Sequence, residues 1–316
     1  LRAGTNARIL IVGQAPGTWQ RHLDTAAEPW LADHSLAGQP VLPAAAMLDM
    51  ALAAGAACHP EAPALEVSGF AILRALPLEA EPARALRCTL DSTGHFTLES
   101  RRRLAETDWT LHAEGRVAAL PRLPEAWKAA RPTAPEQGGA AVRHHAAAAG
   151  LEYGPAFHGL AQVVADPAAG IAEAALVLPA AAPPDAAGFL LHPVRLDAAL
   201  QGMVALLAAA MAAEPGSGMV PVRVARLVAA RGAAPAEAAT LRLTARGTRS
   251  AAADLVLRDA SGAPVALVEG CWMQRIRLPG WQDPAHAAFH VALVPADVPS
   301  GATAAPVDLG PVLAAA

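Results

Sequence analysis

Lysine occurs once in this chain, at Lys128, and tyrosine once, at Tyr153; aromatic residues make up only 4% of the 316 positions. Arginine, alanine, glycine and proline stand in their place, the bias a GC-rich coding sequence produces, so the core must be built from alanine, valine and leucine. Lysine and arginine total 24 against 28 acidic residues, for a net charge of −4. That balance argues against a nucleic-acid binder, which needs a basic stripe to displace counterions from phosphates. The longest basic run, Arg101-Arg102-Arg103, has Glu99, Glu106 and Asp108 beside it and reads as a solvated turn or strand face.

Cysteine is nearly as scarce. Cys58, Cys88 and Cys271 are odd in number, far apart and without C-x-x-C spacing. Neither a zinc site nor a disulfide framework is suggested, and a reducing cytoplasm fits best. No charged segment followed by an apolar one opens the chain, and the apolar stretch Gly202 to Ala213 is shorter than a bilayer span, so a soluble protein without a membrane partner is expected. The two ends read like those of a piece cut from something longer. With 54% hydrophobic and 16% charged residues, the composition is far from that of a disordered chain. At 32.1 kDa there is room for one large or two ordinary domains.

Strand candidates lie at Ile9 to Val12, Leu65 to Leu73, Ala85 to Leu90, His95 to Glu99 and Trp109 to Leu120. Among them, a glycine-bearing loop from Asp33 to Pro43 precedes an alanine-rich helix, with Pro43 at its first turn and Gly55 closing it. Proline, charge and glycine between Pro121 and Gly139 mark a linker. The order then recurs. A glycine loop at Gly150 to Gly159 leads to strands near Leu160 to Val164 and Ile171 to Leu178, then a proline-led helix from Pro193 to about Met211. Strands follow at Val220 to Ala229, Thr240 to Ala245, Asp254 to Asp259 and Val265 to Arg275. The expected division is therefore 1–122 and 139–278 as two α+β units, 123–138 as their linker, and 279–316 as a further linker with one short strand at His290 to Val294.

Three segments carry a pattern. His34, Gly38 and Pro43 stand in the spacing H-x-x-x-G-x-x-x-x-P; Gly150, Tyr153, Gly154, Pro155 and Phe157 in G-x-x-Y-G-P-x-F; His192, Pro193, Leu196, Asp197 and Gln201 in H-P-x-x-L-D-x-x-x-Q. Each alone arises easily by chance, but the three in this order resemble the dehydratase domain of a bacterial modular type I polyketide synthase, over about residues 20 to 277. The resemblance implies a double hotdog fold, each long helix wrapped by a curved antiparallel sheet. It implies that His34 and Asp197 meet across the two units to remove water from a β-hydroxyacyl chain, and that Tyr153, Gly154 and Pro155 line the substrate tunnel near them; Gly38, Pro43 and Gln201 complete the expected substrate-binding set. It further implies a chain carried on the phosphopantetheine arm of an acyl carrier protein, neighbouring synthase domains as partners, a homodimer, and no cofactor or metal of its own.

The residue types suit that chemistry. An α-proton beside a thioester is weakly acidic and calls for a neutral imidazole base, while hydroxide leaves only if a protonated carboxyl supplies a proton. Asp197 must then be neutral when substrate binds, and burial is expected to outweigh the opposing pull of the helix N-terminus. Arg195, two positions away, projects from a different face, whereas Gln201 stacks on the face of Asp197 and can orient its carboxyl. Glycine at position 38 permits close backbone approach, and the helix begun at Pro43 offers free N–H groups to a thioester carbonyl. The remaining histidines carry no ligand spacing, His192 reads as structural, and no nucleotide-binding motif is present. The same pair would serve a pyran-forming cyclase or a double-bond isomerase, and an inactive, product-shaping module is the alternative outside enzymology.

Overall fold

The computed structural model describes residues 13–15, 17–78, 83–104, 108–128, 130–185, 188–212, 214 and 216–277. The strand expected at Ile9 to Val12 and the segment 279–316 with its strand at His290 to Val294 lie outside them. Strands β1 (Gly13–Ala15) and β2 (Thr18–Leu23) lead to a 3-10 turn at Pro29–Asp33. The loop expected from Asp33 to Pro43 is instead a hairpin, β3 (His34–Leu36) and β4 (Gln39–Pro40), before α1 (Ala44–Cys58). Then come β5 (Ala64–Ile72), β6 (Arg84–Leu90), β7 (His95–Arg102) and β8 (Thr110–Leu120). After them, β9 (Glu136–Gly138) and α2 (Gly139–Ala148) precede β10 (Leu151–Tyr153), a 3-10 turn at Pro155–Phe157, β11 (Leu160–Asp166) and β12 (Ile171–Leu176). Helix α3 (Pro193–Ala212) and strands β13 (Ser217–Ala230), β14 (Ala238–Arg246), β15 (Ser250–Arg258) and β16 (Pro264–Arg277) complete the order.

Thirteen strands form one sheet in the order β1-β2-β6-β7-β8-β5-β13-β16-β15-β14-β12-β11-β9, and β10-β3-β4 form a second, small one. All the pairings are antiparallel, and the middle of the large sheet is the β5–β13 ladder, from Ala71 opposite Arg223 to Ala64 opposite Ala230. Helix α1 packs on β5, β6 and β8, and α3 on strands β11 to β15, so each helix is wrapped by its own part of the sheet. This is a double hotdog. Both helices are apolar around almost their whole circumference, which fits burial on all sides better than the one-sided stripe of a surface helix.

Several expectations need correction. Gly55 does not close α1; it lies inside the helix, at a point where a Cβ would come 2.5 Å from Val117 Cγ1. Pro43 is the cap residue before the helix, not part of its first turn. The end of the expected linker, Glu136–Gly138, is a strand paired with β11. Helix α2 was not anticipated, although its buried residues Gly139, Val142 and Ala146 follow a helical spacing. The expected glycine loop at Gly150 to Gly159 contains β10 and a 3-10 turn. Finally, α3 has 20 residues and is long and apolar enough to cross a membrane by length and composition, against the shorter stretch expected. Its hydropathy belongs to the core: 83% of that window is buried inside the protein.

Candidate active site

His34 opens β3, and the turn that follows explains Gly38. Ala37 (φ 49°) and Gly38 (φ 77°) both adopt left-handed backbone between the paired Leu36 and Gln39, a two-residue hairpin turn for which glycine carries no steric penalty. Gly38 is exposed at its tip, with no atom within 4 Å of where a Cβ would be. The turn returns the chain so that Val41 N–H donates to the His34 carbonyl at 3.0 Å. His34 Nδ1 lies 3.1 Å from the Val41 carbonyl. A carbonyl only accepts, so Nδ1 carries a proton, and in the neutral ring it is Nε2 that holds the free lone pair.

That Nε2 atom faces Asp197 Oδ1 at 3.6 Å, too long for a hydrogen bond, so neither atom is taken up by the other. Asp197 sits in the second turn of α3 and is buried. Burial raises its pKa above the ordinary carboxylate value, against the smaller lowering effects of His34 and of the Gln201 hydrogen bond. Gln201 Nε2 donates to Asp197 Oδ2 and to the Phe157 carbonyl, both at 3.0 Å. Because the Phe157 carbonyl can only accept, the amide cannot be flipped. Oδ2 thus already receives a donor, which leaves Oδ1, the oxygen nearest His34, as the place for the carboxyl proton. Gln201 Oε1 is buried without a hydrogen-bond partner.

The Y-G-P segment closes the other side. Strand β10 pairs with β3 so that Tyr153 stands opposite His34, their rings edge to face at 5.7 Å. Burial, and next the charge of Asp197, push the Tyr153 phenol well above its usual value and keep it a donor. Gly154 approaches Asp33 so closely that a Cβ would lie 2.4 Å from Asp33 Oδ1, and Pro155 starts the 3-10 turn. Of one tyrosine, five phenylalanines and six tryptophans, Tyr153, Phe157, Phe189 and Trp30 gather here. Trp30 stacks on Phe157 at 5.8 Å and meets Phe189 edge-on at 6.3 Å.

At Pro43, the carbonyl accepts the N–H groups of both Ala46 (3.0 Å) and Met47 (3.1 Å), so Ala44 and Ala45 hold the helix's leading N–H groups. Arg195 is turned away from Asp197: its guanidinium grips both oxygens of Asp185 at 3.1 and 2.8 Å and the Ala236 carbonyl at 2.8 Å. His192 caps α3, with Nδ1 accepting Val194 N–H at 3.2 Å and Nε2 2.9 Å from the Pro183 carbonyl. His112, which has no partner at ligand spacing in the sequence, is buried between Ser100 Oγ at 2.8 Å and the Arg74 carbonyl at 3.3 Å. Of the basic run, Arg101 stacks with Arg87 on Trp109, at 4.7 and 4.3 Å from the ring centre.

Two residues of the site escaped the sequence patterns. Asp33 contacts the Y-G-P turn through both its backbone and its side chain. Asp49, buried on α1, accepts the N–H groups of Leu190 and Leu191 at 2.9 and 3.0 Å and so ties α1 to the entrance of α3. Its signal was available: a lone carboxylate in an otherwise apolar helix.

Residues 122–279, half of the chain, match the family described as polyketide synthase dehydratase N-terminal domain, and residues 11–104 match polyketide synthase dehydratase domain. The chain belongs to the polyketide synthase dehydratase family. It is 36% identical over 255 residues to the spectinabilin polyketide synthase system protein NorB of Streptomyces orinoci, covering 76% of this chain and 11% of that protein. To a mycocerosic acid synthase-like polyketide synthase of Mycobacterium tuberculosis it is 32% identical over 261 residues, covering 80% of the chain and 12% of the relative. The dehydratase thus spans about a tenth of the length of these relatives. Among solved structures, GphF dehydratase 1 superposes with a TM-score of 0.71 at 26% identity, covering 84% of this chain and 97% of that one. The dehydratase domain of PpsC from Mycobacterium tuberculosis, in complex with C12:1-CoA, does so with a TM-score of 0.65 at 27% identity, covering 84% and 98%. By family, the dehydratase is a hydro-lyase.

Proposed function

We propose that this dehydratase removes water from a β-hydroxyacyl thioester presented by an acyl carrier protein, with His34 as the base and Asp197 as the acid. One observation carries the reading: an imidazole whose proton is held on the far nitrogen faces, at 3.6 Å, a buried carboxyl whose pKa is raised. His34 Nε2 takes the α-proton, the Cα–H electron pair becomes the new Cα=Cβ bond, and the β-C–O bond breaks as Asp197 Oδ1 gives its proton to the departing oxygen. Water leaves, and a proton passing from His34 to Asp197 restores both groups. Proton transfers alone complete this cycle, so no cofactor or metal enters the reading. In it Tyr153 donates from the tunnel wall, Gly154 and Pro155 shape the turn that holds Tyr153, and Gln201 directs the acid's proton. Gly38 acts through the hairpin that aims His34, and the helix start after Pro43 serves the thioester carbonyl through Ala44 and Ala45.

Support for an acyl thioester comes from PpsC, whose dehydratase domain is described in complex with C12:1-CoA. The phosphopantetheine-borne substrate, the acyl carrier protein, the neighbouring synthase domains, a homodimer and a cytoplasmic setting belong to the same reading. So does the division into units 1–122 and 139–278. The test offers a β-hydroxyacyl pantetheine thioester to wild type, His34→Ala and Asp197→Asn, and follows the enoyl product by chromatography and mass. Each variant is expected to lose about 10²–10⁴-fold in kcat. Retained elimination in both would overturn the pair. A substrate bearing a second, distal hydroxyl separates simple elimination from cyclisation, because the ring and the open enoyl chain have equal mass and different retention.

A further inference from the structure

The proposed base and acid come from opposite halves of the chain, and a hydrogen-bonded path joins them through a residue outside the three motifs. Asp33 precedes His34 and ends the 3-10 turn Pro29–Asp33. Its backbone carbonyl accepts Gly154 N–H at 2.7 Å, and its carboxylate Oδ2 accepts Ala156 N–H at 2.7 Å. The next residue, Phe157, presents its carbonyl to Gln201 Nε2 at 3.0 Å, the nitrogen that also donates to Asp197. Meanwhile β3 and β10 set Tyr153 directly opposite His34. Gly154 is explained by this contact and not by its backbone angle, since φ is −80°. A Cβ there would lie 2.4 Å from Asp33 Oδ1, 2.5 Å from its Cγ and 2.8 Å from its Cβ.

We propose that Asp33 is a positioning residue whose carboxylate clamps the Gly154–Phe157 turn and thereby sets the separation and mutual orientation of His34 and Asp197. The proposal rests on the acid–base reading above. An ionised acceptor on a backbone N–H makes a shorter and stronger bond than a neutral one. Such rigidity matters where a displacement of about 1 Å can cost roughly a hundredfold in rate. Asp33 touches no reacting atom in this scheme; it acts through the turn and through Gln201.

The experiment compares Asp33→Ala, Asp33→Asn, Gly154→Ala and the double variant Asp33→Ala/Gly154→Ala in the intact chain, by turnover of a β-hydroxyacyl pantetheine thioester and by urea unfolding. Asp33→Ala is expected to lower kcat by about 10–100-fold with KM little changed, and Asp33→Asn, which keeps an acceptor oxygen, to recover most of the loss. Gly154→Ala is expected to harm an otherwise wild-type chain yet add less than its full effect to Asp33→Ala, because losing the carboxylate removes the 2.4 and 2.5 Å contacts and leaves only the 2.8 Å approach of the residue 33 Cβ. Wild-type kcat in a folded Asp33→Ala chain, equal kcat losses in the Ala and Asn variants, or strictly additive effects of Asp33→Ala and Gly154→Ala would each overturn the proposal. If Asp33→Ala does not fold, Asp33→Asn and Gly154→Ala decide: kcat unchanged in Gly154→Ala, or fully lost in Asp33→Asn, counts against the clamp. A wild-type chain that eliminates no water, or a His34→Ala chain that still does, sinks the acid–base reading instead. The unfolding cycle uses no substrate and then still decides whether the clamp exists.

Discussion

Burying the Asp197 carboxyl comes at a cost to the fold. Its charged form is disfavoured first by burial, and the opposing help from His34 and Gln201 is smaller. Between the ordinary carboxylate pKa and the raised native one, the folded chain binds more protons here than the unfolded chain, so stability falls as pH rises through that window. Above it the loss is complete and constant. Asp197→Asn removes the titration while keeping the shape that meets Gln201. The variant is therefore expected to match wild type at acidic pH, to be the more stable protein above the window, and to lack turnover. Urea unfolding across pH checks it; a variant less stable than wild type at high pH would show that burial is not the dominant influence.

The two long helices are defined less by an amphipathic stripe than by how closely the sheet approaches them. Gly55 in α1 faces Val117 of β8, and Gly202 in α3 faces Leu241 of β14, whose Cδ1 would be 3.0 Å from an added Cβ. At Gly55 two effects compete. Alanine improves helix propensity by about 1 kcal/mol, but a methyl group 2.5 Å from the Val117 side chain forces the packing apart at a cost of roughly 1–3 kcal/mol. The steric cost is expected to win, so Gly55→Ala should destabilise by up to about 2 kcal/mol, read from the urea midpoint at unchanged slope. A gain in stability would mean that the helix can move off the sheet freely.

Across the molecule, the halves meet along β5 and β13 and through Asp49. Arg226 of β13 ties this seam across the sheet face, with Nε 2.7 Å from Glu66 of β5 and Nη1 3.2 Å from Glu269 of β16. Being partly exposed, these pairs contribute little stability. Asp49 is different: buried, it satisfies two backbone N–H groups in the segment that leads into α3. Asp49→Ala leaves those donors unpaired and is expected to cost about 2–4 kcal/mol, with Asp49→Asn milder because its oxygen still accepts. With the sheet continuous, tryptophan fluorescence and far-ultraviolet circular dichroism should trace one coincident transition in wild type. Separate transitions would show that the halves unfold independently.

Much of this was legible along the chain. Hydrophobic spacing and proline placement mark both long helices and most strands, and the three motifs single out His34, Asp197 and their neighbours. These are local signals, carried by residues a few positions apart. Strand order is not local: nothing in β5 announces that it pairs with β13 rather than with its neighbours in sequence. The same holds for Asp33 and Asp49, whose partners lie 123 and 141 positions away. Length and composition alone could not place α3, since a membrane span and a core helix look alike until the sheet is seen to cover it. So spacing determined which residue types the chain brings to the proposed site. Folding decided what each could do there, because the His34 tautomer, the raised Asp197 pKa and the carboxyl oxygen left without a donor all depend on groups that only tertiary contact supplies.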